Sequence, residues 1–440
     1  VAKTDPVRLI AFEVLRAVTE KDAYANLELS RLLRESGLTG RDAALATELV
    51  GGTLRLQGSY DDILDRLVKG ALQPPVRDAL RLGAHQLLSL RVPTHAAVDT
   101  TVNLVKNEIA HKPAGLVNAV LRKVGARTLE DWLEDRPLPA RTSHPEWVVE
   151  ALSAALARPD ELAALLEADN QRPAVTLVAR PGLCEPGELA GFGGVAGPLS
   201  PYAVTLEGGD PGSLAAVRDG RAGVQDAGSQ VVALMLARAE LDGPDVRWLD
   251  LCAGPGGKAA LLAAIAAGRG AGVLANERQL HRAVLVAQGV RAARNGIIGV
   301  VAGDGSRPAW KAGTFDRVLV DAPCTGLGAL RRRPESRWRR TAEDVSDLVP
   351  LQQALLSKAI DSVRPGGIVV YATCSPVVAE TADVVTTVLT GRGDVALVPA
   401  IGLLPEAGDA ESAHLPGAVQ LWPHRHGTDA MFIAVLRRQL

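Results

Sequence analysis

Two cysteines stand just past apolar, β-branched runs. Cys324 follows Phe315 to Val320 in Val320-Asp321-Ala322-Pro323-Cys324-Thr325-Gly326, and Cys374 follows Ile368 to Tyr371 in Ala372-Thr373-Cys374-Ser375-Pro376. Each run reads as a buried strand. Ligands of open α/β sheets bind beyond the carboxyl ends of the strands, so both thiols are expected at one sheet edge, with Asp321 beside the first. A thiolate attacks electrophilic carbon and exchanges protons, so the pair points to covalent chemistry on a bound substrate. A lone strand-end cysteine is usually inert buried packing; two at one edge, each next to proline or a small polar residue, weigh against that.

Upstream, Leu249-Asp250-Leu251-Cys252-Ala253-Gly254-Pro255-Gly256-Gly257-Lys258 joins a strand to a helix. Glycines there let the backbone approach a ligand and open the helix N-terminus. The spacing is not GxGxxG, and Gly257-Lys258 leads into Ala259 rather than Ser or Thr, which disfavours a nicotinamide cofactor and a nucleoside triphosphate. Acids follow later strands: Glu277 ends the second, Asp304 follows the third and Asp321 the fourth. A carboxylate ending the second strand suits a ribose diol. The set resembles the S-adenosylmethionine site of class I methyltransferases. That resemblance implies Glu277 on the ribose, Asp304 at the adenine end, and Cys252, Ala253, Gly254, Pro255, Gly256, Gly257 and Lys258 around the amino-acid moiety, with Asp321 alongside.

With a methyl donor present, two thiols suit methylation of cytosine carbon 5. That carbon is a poor nucleophile until a thiolate adds to carbon 6, and its proton must later leave so that the thiolate is eliminated. Asp-Ala-Pro-Cys-Thr-Gly, Thr-Cys-Ser and Asp-Leu-Cys-Ala-Gly-Pro-Gly-Gly-Lys together resemble the RNA cytosine-C5 methyltransferases of the Sun/Fmu (RsmB) family, whose bacterial members act on 16S ribosomal RNA. The resemblance implies that Cys374 attacks carbon 6, that Cys324 assists product release, and that Lys258 and Asp321 surround the cofactor and target base. Two departures stand out: Gly254 where Ala is common, and Ala379-Glu380-Thr381 where the family usually shows Glu-Asn.

These residues need a frame. From Gln225 onward strand and helix patterns alternate, as in a doubly wound Rossmann-like sheet, with strands at 246–251, 271–277, 297–301, 315–320, 367–371 and 430–436. From Asp5 to about Arg127 the pattern is helical: Val98, Val102, Val105 and Ile109 recur at helix spacing, as do Val76, Leu80, Ala84 and Leu87. Residues 1–127 carry 18 Lys and Arg against 14 Asp and Glu, a net +4 compatible with a nucleic-acid face. The stretches 42–55, 81–87 and 115–122 are similar to signatures of NusB-type RNA-binding domains. The fold expected is multidomain: an all-α NusB-like domain over 1–135, a small α/β subdomain over 142–224, and a class I methyltransferase domain over 225–440. Pro137 and Pro139 mark 128–141 as a linker, and Ser143 is a plausible cap for the next helix.

Past Cys324, the basic run Arg331-Arg332-Arg333-Pro334-Glu335-Ser336-Arg337-Trp338-Arg339-Arg340 could contact RNA, its arginines on phosphates and Trp338 on a splayed base. A target cytosine must be unstacked to expose carbon 6, so an exposed RNA loop is the expected substrate. A transfer RNA methyltransferase would share the chemistry. A non-catalytic RNA-binding or antitermination factor is the rival from another class, against which both cysteines, Lys258 and the strand-end acids argue.

Composition sets the outer bounds. At 440 residues, 47% hydrophobic, the chain supports two or three packed domains, and its net charge of −2 announces no global basic field. Its four cysteines lack CxxC pairing, and His424 and His426 lack partners at zinc spacing, so neither disulfide nor metal is expected. So few cysteines in so long a chain fit a reducing cytosol, no secretory leader or membrane-spanning run is visible, and a monomer is expected; the chain opens on Val1 rather than Met, consistent with a native segment ahead of this numbering.

Overall fold

The computed structural model describes residues 3–440. They divide into two compact units. One comprises the chain up to Glu150 with Asp160–Arg172 and Leu330–Arg340; the other comprises Ala151–Pro159, Pro173–Ala329 and Thr341–Leu440. The expected division at 142 runs differently: most of 142–172 joins the helical unit, whereas 173–224 joins the sheet unit.

The helical unit follows its 3.6-residue spacing. Its main helices are α1 (Pro6–Lys21), α2 (Ala25–Ser36), α3 (Gly40–Arg55), α4 (Gln57–Leu67), α5 (Pro74–Leu88), α6 (Thr94–Glu108) and α7 (Ala114–Val124). Asp5 starts α1 by accepting a hydrogen bond from the Arg8 amide, and Gly37 ends α2 at φ +69. Val76, Leu80, Ala84, Val98, Val105, Val117 and Leu121 bury one core with Leu49 and Tyr60. The stretch expected as a linker is instead ordered into α8 (Leu129–Leu133), opened by a reciprocal Thr128–Asp131 capping box, and α9 (Leu138–Thr142). Pro139 falls in the first turn of α9, where a missing N–H costs nothing. Ser143 is the left-handed C-cap of α9, at φ +59, rather than the cap of a following helix, which starts at Glu146.

The basic run is also corrected. Arg337 is fully buried within the helical unit, donating to the Ser143 carbonyl (3.0 Å), the Asp169 carbonyl (3.2 Å) and Asn170 Oδ1 (2.7 Å). These acceptors lie at the C-termini of α9 and of the helix Leu162–Asp169, where carbonyls lack partners inside the helix. Burial draws the Arg337 guanidinium down to about 10. Arg331 is buried, and the ring of Trp338 lies on Gly58, where an added Cβ would come within 2.4 Å of it. Arg333 is exposed and sits 5.4 Å from the ring centroid of Tyr24. Composition marks a basic surface; the unpaired helix ends turn much of it inward.

The sheet unit holds two sheets. β1 (Val175–Ala179), β2 (Gly194–Ala196), β3 (Ala203–Leu206) and β4 (Ala222–Val224) form a small antiparallel sheet in the order β2-β3-β1-β4. The large sheet comprises β5 (Arg247–Asp250), β6 (Gly272–Glu277), β7 (Ile297–Ala302), β8 (Phe315–Asp321), β9 (Val363–Thr373), β10 (Val395–Val398), β11 (Val419–Gln420) and β12 (Phe432–Arg438). Its order is β10-β12-β9-β8-β5-β6-β7, with β11 paired to β12. Pairings among β5, β6, β7, β8 and β9 are parallel, and those of β12 antiparallel. Helices cover both faces. Leu319 packs with the helices Ala227–Arg238 and Gly257–Gly268, while Val318 and Val320 pack with Ala342–Ser362 and Ala382–Thr390. Burial on both faces is why these strands read as unbroken apolar runs. Among the described residues no helix is long and apolar enough to cross a membrane.

Arg337→Ala should lower the stability of the helical unit by about 2–4 kcal/mol, because it strands buried acceptors. A thermal melt followed by circular dichroism reads this. The salt slope of RNA binding should stay unchanged, as expected of an arginine that meets no phosphate.

Candidate active site

Strands β6 and β7 lie on one side of β5, β8 and β9 on the other, so the chain reverses between β5 and β8. A crevice opens at the carboxyl ends of such a strand pair. β5 delivers Asp250 and the Gly-rich loop to that edge, and β8 delivers Asp321 and Cys324. β9, parallel to β8 with Asp321 opposite Ala372, brings Cys374 alongside. The two sulfurs lie 3.5 Å apart. Strand register alone therefore joins two cysteines 50 residues apart in the chain.

The loop after β5 is shaped by its glycines. Gly256, at φ +114, caps the helix Gly257–Gly268 in a conformation an L side chain rarely adopts, and a Cβ there would come 3.0 Å from the Val286 backbone. At Gly254 a Cβ would run into the Glu277 carboxylate and the Arg282 guanidinium. Both are ends of flexible side chains, so the departure from the commoner alanine is a mild one. Glu277 is buried at the end of β6 and accepts from the Gln279 amide (2.9 Å), with Arg282 Nε 3.6 Å from its other oxygen. Asn276 ties neighbouring turns together by donating to the carbonyls of Leu251 (2.9 Å) and Gly303 (3.1 Å). Asp304 accepts from the amide (2.9 Å) and hydroxyl (2.7 Å) of Ser306, bonds that hold its carboxyl below the usual range.

Charge is concentrated at the switch point. Lys258 Nζ donates to Asp321 Oδ2 at 2.8 Å. Burial alone would weaken that ammonium, but the Asp321 charge and hydrogen bond, helped by Cys374 and Asp250, raise its pKa. Asp250 is fully buried and has no side-chain hydrogen-bond donor among the described residues, the Cys252 amide being its one backbone neighbour of that kind. Burial, then the nearby Asp321, push its carboxyl up to about 7 against the pull of Lys258. Burial and the Asp250 charge likewise push the Cys252 thiol well up.

One residue central to this geometry carries no motif of its own. Glu380 is fully buried and accepts four hydrogen bonds: from the Thr325 amide (2.8 Å), Thr325 Oγ1 (2.5 Å), Ser375 Oγ (2.5 Å) and Gln352 Nε2 (3.0 Å). Thr325 follows Cys324 and Ser375 follows Cys374, so one carboxylate clamps both cysteine loops. Gln352 also donates to the Pro323 carbonyl (2.9 Å), and the Tyr371 hydroxyl donates to the Glu380 carbonyl (2.8 Å). Gly328 completes the clamp: its amide donates to the Cys374 carbonyl (2.8 Å), where a Cβ would strike the backbone of Ala430 and Cys374. The loop after Cys374, which departs from the usual Glu-Asn, is thus firmly held. The sequence marked Ala379-Glu380-Thr381 only as a stretch where the family usually shows Glu-Asn, and gave Glu380 no role of its own. Among the described residues no group of three or more His, Cys, Asp or Glu could hold a metal ion.

Comparison with known proteins agrees with this architecture. The family described as 16S rRNA methyltransferase RsmB/F matches residues 235–437, and the NusB family matches 5–126. The putative methyltransferase Rv1407 of Mycobacterium tuberculosis is 50% identical over 450 residues, covering 99% of this chain and 97% of that protein. Ribosomal RNA small subunit methyltransferase B of Salmonella paratyphi A is 34% identical over 412 residues, covering 90% and 92%. The solved structure of PH0851 shares the fold over 99% of this chain and 100% of that one, with a TM-score of 0.80 at 22% identity. A NusB-family helical domain, a methyltransferase sheet and paired strand-end cysteines thus meet in one chain, and the chain belongs to the RsmB/F family of rRNA methyltransferases.

Proposed function

We propose that this enzyme methylates carbon 5 of a cytosine in small-subunit ribosomal RNA through a covalent adduct between Cys374 and carbon 6. The observation that carries this reading is the pair of sulfurs 3.5 Å apart beside the Lys258–Asp321 ion pair. S-Adenosylmethionine fits the remaining residues. The buried Asp250 carboxyl, without a side-chain donor among the described residues, suits the α-ammonium, and Glu277 suits the ribose hydroxyls. The loop from Cys252 to Lys258 flanks the amino-acid moiety, and Asp304 lies at the adenine end. When bound, the cofactor supplies an electrophilic methyl group.

The Cys374 thiolate adds to carbon 6, and the displaced π pair makes carbon 5 nucleophilic. Asp321, its carboxylate fixed by Lys258, accepts from the exocyclic amino group beside ring nitrogen 3. Once carbon 5 bears the methyl group, Cys324 takes the proton from that carbon. The freed pair restores the 5,6 double bond and expels the Cys374 thiolate. A second group is required because the leaving thiolate cannot also be the base at its own elimination, and Cys324, 3.5 Å from Cys374, is placed to serve. RNA engagement falls to the NusB-family domain and to Arg333, with Arg332 beside it, which leaves Arg331, Arg337 and Trp338 in supporting roles.

Labelled S-adenosylmethionine incubated with unmodified small-subunit ribosomal RNA and transfer RNA, followed by bisulfite sequencing, should mark one ribosomal loop cytosine. Label confined to transfer RNA would keep the mechanism and replace the substrate. Cys374→Ala should abolish transfer, whereas Cys324→Ala should accumulate a protein–RNA adduct that survives denaturation; an active Cys374→Ala enzyme would refute the adduct. Glu277→Ala should weaken cofactor binding about tenfold or more by calorimetry, while Gly254→Ala should stay within about threefold.

A further inference from the structure

Two thiols 3.5 Å apart cannot both be thiolates at modest cost, because the second charge forms against the first. Something must decide which ionises. The groups around the pair are unevenly arranged. Lys258, held by Asp321, is the cation that faces Cys374. Cys324 faces Cys374, Glu380 and Asp321, with Tyr371 also close.

Hydrogen bonding points the same way. Amides and hydroxyls near a cysteine favour its thiolate where they are free to donate to it. At Cys324 those donors are the Thr325 amide and Oγ1, and both are committed to Glu380, at 2.8 and 2.5 Å. Glu380 thereby withdraws the local donors from Cys324 and adds a buried negative charge on its side. At Cys374 it takes only the Ser375 hydroxyl.

We propose that Glu380 is a positioning residue that keeps Cys324 protonated, so that the thiolate forms at Cys374, on the side of Lys258. This rests on the reading of Cys374 as nucleophile and adds how the fold enforces that choice. It also fits the later role of Cys324: once Cys374 is held in the adduct and its charge has gone, the Cys324 thiol loses its proton to water, and the thiolate so formed takes the proton from carbon 5. The hydrogen bond to Cys374, then burial, then the Cys374 and Glu380 charges all push the Cys324 thiol up.

The test is iodoacetamide alkylation of the full-length protein across a pH series, with peptide mass spectrometry giving a separate midpoint for each cysteine. The midpoint reports ionisation rather than access, so packing differences between the two sites do not enter it. In the wild type Cys374 should have the lower midpoint, and that of Cys324 should exceed the ordinary thiol value of about 8.5. Glu380→Gln should lower the Cys324 midpoint enough to raise its thiolate fraction about tenfold at fixed pH. Gln352→Met, which removes one donor from Glu380 but keeps the charge, should leave both midpoints in place.

Cys374 first in the wild type with no shift in Glu380→Gln would overturn this inference and leave the nucleophile assignment standing. Cys324 first in the wild type would overturn the assignment itself. An equal shift in Gln352→Met would make the effect one of packing and sink the role of the charge. Should Glu380→Gln fail to fold, the wild-type midpoint still decides, since a Cys324 value at or below the ordinary one refutes the proposal.

Discussion

A carboxylate withdrawn from water must find donors for its lone pairs, and that need shapes the centre of this enzyme. Glu380 takes four hydrogen bonds from uncharged donors on three segments: the loop after β8, the loop after β9, and the long helix Ala342–Ser362. Leaving any of them unmade would cost about 1–3 kcal/mol, more where the group is charged. The carboxylate therefore favours the arrangement in which all three segments meet it. Strand register brings the two cysteines near one another; the clamp sets the final ångström.

The rest of the site obeys the sheet. Because the chain reverses between β5 and β8, the loops after these strands diverge to opposite faces and leave a crevice between them. Gly256 and Gly254 keep one wall clear, Glu277 and Asn276 stiffen the next strand end, and the Lys258–Asp321 pair spans the crevice floor at 2.8 Å. Asp250 is the exception to good pairing. A buried carboxyl in such a state is tolerated at functional sites and seldom elsewhere.

Much of this was legible in the chain. Apolar runs marked β5, β6, β8 and β9 to within a few residues, because strands buried on both faces need unbroken hydrophobicity, and a candidate site residue lies at or just past the end of each. Glu380 was not legible, since its partners lie 55 residues away at Thr325 and 28 away at Gln352. Local pattern cannot show which donors a distant loop will offer. The place of Arg337 was not legible for a related reason. Whether Arg337 meets water or a helix end depends on Ser143, 194 residues earlier. Residues 128–141 looked like a linker because proline is read as a breaker, although in the first turn of α9 it starts a helix.

Membership of Leu330–Arg340 in the helical unit has a consequence for how the protein can be taken apart. The chain leaves the methyltransferase unit six residues after Cys324, spends eleven residues in the helical unit, and returns for the long helix that carries Gln352. The two units are thus interlaced in sequence, not strung end to end. Cutting the chain near residue 140 would free neither one: the helical part would lose its internal arginine, and the remainder would carry a segment whose guanidinium had lost its carbonyls. Helical and methyltransferase parts that look separable on a linear map are here interleaved along one chain.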